Sequence, residues 1–217
     1  MKGLLIKDFK LLRGQKTLLI LVVFIAVGML ASLSNPGFVI GYMTFIGAFC
    51  TLNTISYDEF DNGNTFLFSL PITRKGYVEE KYLFGIAVGG AECLLSLVVT
   101  LIFGCVKGSF DAKEILLTGG MVFAALFFMI SIMLPFQLKF GGEKGRVAMI
   151  VAFGLVFLAG FLVKQIAGMF HLDLTGMQDY FSSMGMGMLL VVVYTVALVV
   201  CLISMKISIA IMEKKEF

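Results

Sequence analysis

Charge is scarce in this chain. Asp, Glu, Lys and Arg make up 14% of its 217 residues, against about 25% in a soluble domain, while hydrophobic residues reach 59%. Burial in a water-soluble core does not account for that excess, so the chain is read as membrane-embedded, with no large soluble domain. Histidine is rarer still: His171 is the only one, which excludes an H-E-x-x-H metal site. No G-x-S-x-G occurs and no apolar run carries paired carboxylates, so catalysis has no residue set and the chain is not expected to be an enzyme. The four cysteines, Cys50, Cys93, Cys105 and Cys201, lie singly inside apolar runs, which excludes a disulfide framework or thiolate site and leaves them as small packing residues. Phe140 to Arg146 has glycines and a lysine but not the G-x-x-x-x-G-K-[ST] order of a phosphate loop, so ATP hydrolysis is not expected on this chain. Met184, Met186 and Met188, with Met169 and Met177, suggest a soft-metal site, but alternation at i, i+2 and i+4 does not gather on one helical face. They are read as adaptable packing residues, and no metal or cofactor is expected in this chain.

What is present is apolar length. Six runs, at 17–34, 38–57, 82–106, 115–136, 147–163 and 184–205, each hold about 17 to 25 residues, enough to cross a hydrocarbon core about 30 Å thick at 1.5 Å per residue. The expected fold is all-α: a polytopic membrane protein with six transmembrane helices. The N-terminal segment has the charges of a signal peptide but no small-residue cleavage pattern, so the first run is read as a retained span. With the N-terminus cytoplasmic, every lysine and arginine except Lys107, Lys113 and Lys164 falls on the inner side. Both termini and the connection between the second and third runs are therefore expected in the cytoplasm. Ahead of the first run, a helical projection places Met1, Leu5, Phe9 and Leu12 within an arc of about 80°, with Lys2, Lys10 and Arg13 on another face. This predicts an interfacial helix lying on anionic headgroups, although Ile6 falls among the basic residues. The longest external connection, Lys164 to Ser183, mixes Phe170, His171, Leu172, Tyr180 and Phe181 with polar residues, and could dip back into the membrane or lie on it.

The stretch from Tyr57 to Lys81 is neither greasy enough for lipid nor polar enough for a plain linker. Acidic Asp58, Glu59 and Asp61 come first, then turn-prone Asn62-Gly63-Asn64, then apolar Phe66, Leu67, Phe68 and Leu70. Pro71 stops that run, and Thr73 is placed to cap a new helix whose first turn holds Arg74 and Lys75. A short cytoplasmic helix with an exposed aromatic face between two spans suits a grip for another protein. Within the third run, Glu92 is the one carboxylate inside a span, about 15 Å deep, where a charge is costly. It is read as a member of a substrate pathway or as a hydrogen-bonding helix contact. Gly85, Gly89 and Gly90 nearby allow close helix approach.

The acidic cluster after the second run, the string Phe68-Ser69-Leu70-Pro71-Ile72-Thr73-Arg74-Lys75, and Val78 with Lys81-Tyr82 leading into the third run resemble the permease subunits of the ABC type-2 transporter family. Among its subgroups the chain looks most like short permeases of bacterial peptide exporters, such as the phenol-soluble modulin exporters. That resemblance implies one transmembrane permease domain over 1–217 in a bacterial cell membrane. It implies a second permease subunit, the same chain or a sister, and a separate ABC ATPase that carries ATP and Mg. The substrate would be an amphipathic peptide or another lipophilic molecule moved out of the cell, with membrane lipid around the complex and no nucleic-acid partner. Asp58, Glu59, Phe60, Asp61, Phe66, Phe68 and Ser69 would form the ATPase-coupling loop, while Arg74 and Lys75 would anchor the third helix at the headgroup boundary. Two other readings stay open: a membrane anchor or immunity-type subunit that binds a peptide without pumping it, and an ion-coupled secondary transporter using Glu92.

Overall fold

Local sequence signals start and stop most of the helices. In the computed structural model, which describes residues 2–32, 35–60, 63–107, 111–142 and 185–215 and single positions between 144 and 165, they are helices α1 (Lys2–Gly14), α2 (Lys16–Ser32), α3 (Pro36–Glu59), α4 (Gly63–Ser69), α5 (Arg74–Lys107), α6 (Ala112–Phe140) and α7 (Met186–Lys214). No strand occurs among the described residues. Asn35 begins α3, its side chain accepting from the Gly37 amide at 2.9 Å with Pro36 in the first turn. Asp111 does the same for α6 through the Lys113 amide at 3.0 Å. Gly141, at φ 75°, ends α6 in the left-handed region where a side chain would be strained.

Four of these helices, α3, α5, α6 and α7, are long and apolar enough to cross a membrane, and α1 with α2 makes a fifth candidate bent by 64° around Gln15. Of the six predicted runs, five are thus helical here. In the sixth, 147–163, the described positions are helical and the others lie outside the described residues, as does the predicted dipping segment between Gln165 and Ser183 from 166 onward. The helices also overrun the apolar stretches. α5 begins eight residues before Tyr82 and, at 34 residues, is about 51 Å long. α7 continues to Lys214, beyond the predicted end at Met205. At α5 the added polar turns find buried partners in Asp8 and in the end of α7, whereas past Lys206 the added stretch of α7, Ile207 to Met212, is again largely apolar.

α3 runs against α5 and α6, and α7 closes on α6 and α5. The close approach is made by glycine: a Cβ on Gly47 of α3 would stand 3.0 Å from the Gly89 Cα of α5, and one on Gly89 would stand 2.6 Å from Leu126 of α6. Around this contact Leu52, Ile55, Leu126, Ile130 and Leu134 are buried, whereas Phe24, Phe38, Leu94 and Ile102 point outward, as lipid-facing side chains do. Pro135 sits inside α6, where it has no N–H for the Ser131 carbonyl. The Ser204 hydroxyl of α7 donates to that carbonyl at 2.5 Å, and Tyr82 of α5 lies 2.7 Å from Ser204 and 2.9 Å from Ser208. Three helices are thereby joined through one backbone group that proline left free.

Candidate coupling site

Of the described candidate residues read from the sequence, all but Glu92 lie around the end of α3, α4 and the start of α5, where α6 and α7 also finish. Thr73 caps α5 as its position predicts, its hydroxyl accepting from the Gly76 amide at 3.1 Å. Gly63 opens α4 directly against the end of α3, since a Cβ there would fall 2.7 Å from the Asp58 carbonyl. Ser69 closes α4 by donating to the Phe66 carbonyl at 2.7 Å. The connection is therefore folded back on the bundle rather than hanging from it.

Beneath it lies a buried ionic cluster. The Asp58 carboxylate accepts from Tyr77 at 3.1 Å and pairs with Lys81 at 2.9 Å and with Lys7. Lys81, fully buried, also pairs with Asp8 and donates to Thr54 at 3.1 Å, while Lys7 stands 3.1 Å from Asp8. Three helices, α1, α3 and α5, thus meet in two cations and two carboxylates. Burial lowers the proton affinity of the Lys7 ammonium, but the Asp58 and Asp8 carboxylates outweigh it and hold Lys7 above its ordinary value. Glu80 is a third acid in this neighbourhood, 1% exposed, with its nearer oxygen 3.9 Å from Lys81. Removing one partner from such a cluster leaves an uncompensated charge and is strongly destabilising.

A second set of contacts ties the helix ends together. Glu59 accepts from the Gly142 amide at 2.7 Å and from Lys215 at 3.0 Å, and Lys215 donates onward to the Leu138 carbonyl at 3.1 Å. Gly141 is needed here for space as well, because a Cβ would stand 3.2 Å from a Glu59 oxygen. Arg74 donates to the Met212, Glu213 and Lys215 carbonyls at 2.9, 2.8 and 2.6 Å, capping α7 from the start of α5. Its guanidinium also lies over Phe68, whose ring meets Tyr77 edge-on at 5.6 Å.

The predicted loop residues therefore divide. Phe60 and Phe66 project outward, each 71% exposed, whereas Asp58, Glu59 and Phe68 face the bundle. Asp61 lies outside the described residues. Arg74 fastens the end of α7, and Lys75 is exposed with the Glu79 carboxylate at 3.8 Å. Glu92 is distant from this set: its side chain packs on Gly47 of α3, where a Cβ would meet its Cγ at 2.9 Å, and its Oε2 is buried without a hydrogen bond among the described residues. Sequence reasoning passed over Asp8, Lys7, Glu80 and Lys215. The available signal was Asp8, the one acid in an otherwise basic first sixteen residues. The inward face of α1 is correspondingly shifted: Leu4 and Asp8 are buried while Phe9 of the predicted apolar arc is half-exposed, its ring 5.3 Å from Phe84.

No curated protein and no solved structure matches the chain. One family model does, the one described as ABC-2 family transporter protein, and it covers residues 3–213, nearly the full length, including every residue of the site just described except Lys215. With a family match of that extent over a bundle of membrane-crossing helices, the chain belongs to the ABC-2 transporter family as a multi-pass membrane permease subunit.

Proposed function

We propose that this chain is the permease of an ATP-driven exporter, that a separate ABC ATPase docks on the α3–α5 connection from the cytoplasm, and that a second permease subunit completes the pathway. The substrate in this reading is an amphipathic or lipophilic molecule, with an amphipathic peptide as the leading class. The observation that carries the reading is the division of the connection: Phe60 and Phe66 stand outward at 71% exposure while Asp58, Glu59 and Arg74 fasten the same short segment to α1, α5, α6 and α7. A pair of aromatic anchors on a braced knuckle is suited to receive a push and pass it to several helices together. ATP and Mg belong to the partner, whose hydrolysis would be sensed here only as movement of that knuckle.

The test is the Phe60→Ala/Phe66→Ala double variant, assayed with the ATPase that copurifies with the wild-type permease. Transport is expected to fall at least tenfold per ATP hydrolysed, with the amount of permease in the membrane unchanged. Transport that keeps its stoichiometry, with the ATPase still bound, counts against the assignment. Transport that follows an ion gradient, survives ATP depletion and is lost on Glu92→Gln would instead identify a secondary transporter.

A further inference from the structure

At the ends of α6 and α7 Lys215 is engaged, while the side chains of Lys139, Lys206, Glu213 and Lys214 have no hydrogen bond or ion pair among the described residues; Lys206 and Glu213 lie about 100–120° around α7 from Ile207, off the face considered below. Lysines near a helix C-terminus commonly serve its last carbonyls. Here those carbonyls already have partners, Leu138 in Lys215, and Met212 and Glu213 in Arg74. Lys139 is exposed, with the Phe140 ring 5.1 Å away, and Lys214 is exposed too; neither has an ion pair among the described residues. The two helices run parallel, since Gly120 meets Tyr194, Ser131 meets Ser204 and Leu138 meets Lys215, so both lysines stand at the same end.

Between these helices and leading away from Lys139 is an apolar groove of about 470 Å³, walled by Ile132 and Phe136 of α6 and by Val200, Ile203, Ile207 and Ile211 of α7. Among the described residues Lys139 is the one charged side chain lining it. Lys214 lies three residues past Ile211 and seven past Ile207, on the same face of α7. From Val200 to Ile211 the groove is about 16 Å long, close to the roughly 15 Å depth of one leaflet of hydrocarbon. The polar atoms along it are occupied: Ser131 donates to the Phe127 carbonyl at 2.6 Å, and Ser204 donates to Ser131. The walls thus offer a leaflet-deep apolar slot with Lys139 at its mouth, Lys214 one turn beyond on the same face of α7, neither ion-paired, and no carboxylate among the described lining residues.

We propose that this groove binds an anionic phospholipid, one acyl chain lying along α7 from Ile211 to Val200 and the phosphate between Lys139 and Lys214. A zwitterionic lipid would fill the slot as well but would bring no net charge to the lysines. Selectivity therefore resides in the headgroup, at roughly fivefold in association for each lysine. The assignment is independent of what the permease exports and of how its ATPase is attached.

The chain has no tryptophan, so one introduced residue reports alone. The full-length Phe136→Trp protein would be reconstituted in phosphatidylcholine vesicles and quenched by bromine-labelled acyl chains, carried in equal minor amounts on phosphatidylglycerol or on phosphatidylcholine. Brominated phosphatidylglycerol is expected to quench more strongly. Lys139→Gln should lower its relative association roughly fivefold, and Lys139→Gln/Lys214→Gln should abolish the excess. A control at Phe24→Trp, on the exposed face of α2, should be quenched equally by both lipids. Equal quenching at Phe136→Trp would reduce the groove to ordinary lipid contact, and absence of quenching by either lipid would mean that protein covers it; each result overturns the proposal. Should Phe136→Trp not fold, native mass spectrometry of the unmodified chain must still show phosphatidylglycerol retained over phosphatidylcholine, and lost in the double lysine variant.

Discussion

The two halves of α5 are held by opposite chemistry. At its first turns Lys81 is sunk among Asp8, Asp58 and Thr54, and Arg74 reaches across to α7. From Tyr82 on, Gly85 and Gly89 admit Thr51, Ile130 and Leu126 at contact distance, and Tyr82 bonds the Ser204 and Ser208 hydroxyls. The charged half gains from proximity to the membrane surface, where water and counter-charges lower the cost of ions. From Tyr82 to Val106 α5 carries one acid, Glu92, and lies where an unpaired charge would be expensive, so it relies on glycine contact, and its neighbours α6 and α7 on a serine filling in for proline. The difference teaches where charge belongs: ion pairs brace the α3–α5 connection against several helices, while the middle of the bundle is held by close contact and a few neutral hydrogen bonds.

Breaking the comparison at the charged end should have the largest effect. Lys81→Met leaves Asp8 and Asp58 buried with half their compensation, and is expected to destabilise the protein by about 3–5 kcal/mol. Thermal unfolding in detergent would read this, together with proteolytic release of α1, and a loss under about 1 kcal/mol would show that the cluster is not structural. At the neutral half Gly47→Ala should cost about 1–3 kcal/mol, because the new methyl meets backbone at Gly89 as well as Glu92, and backbone cannot swing aside. An unchanged unfolding temperature would mean that the helices separate there freely. Ser204→Ala should be smaller still, about 0.6–1.7 kcal/mol, since it removes neutral bonds, to the Ser131 carbonyl and to Tyr82, and Tyr82 keeps Ser208. If Ser204→Ala equals Lys81→Met in cost, the division between the two halves fails.

Much of this was legible locally. Asn35-Pro36, Thr73 and Asp111 each act within three residues of themselves. The apolar runs at 38–57, 82–106 and 115–136 are all helical because length alone decides them. What escaped was pairing over distance. Asp8 finds Lys81 at a separation of 73 residues and Glu59 finds Lys215 at 156, and nothing in either neighbourhood names its partner. The α3–α5 connection was readable as a segment for the same reason that its members were not separable: Phe60, Phe66 and Phe68 are the same residue type, and only the fold turns Phe68 under Arg74 and leaves the other two outside. The first helix misled because Asp8, buried as an ion-pair partner, occupies the place that an apolar residue would take in a simple amphipathic pattern.

The central claim is that an ATPase grips the outward face of the α3–α5 connection. Photo-crosslinking residues placed singly at 60, 66 and 68 in the membrane-assembled complex test it most directly. The account predicts crosslinks to the ATPase from 60 and 66 and none from 68. Crosslinks only to lipid at 60 and 66, in a complex that still hydrolyses ATP and transports, would contradict it.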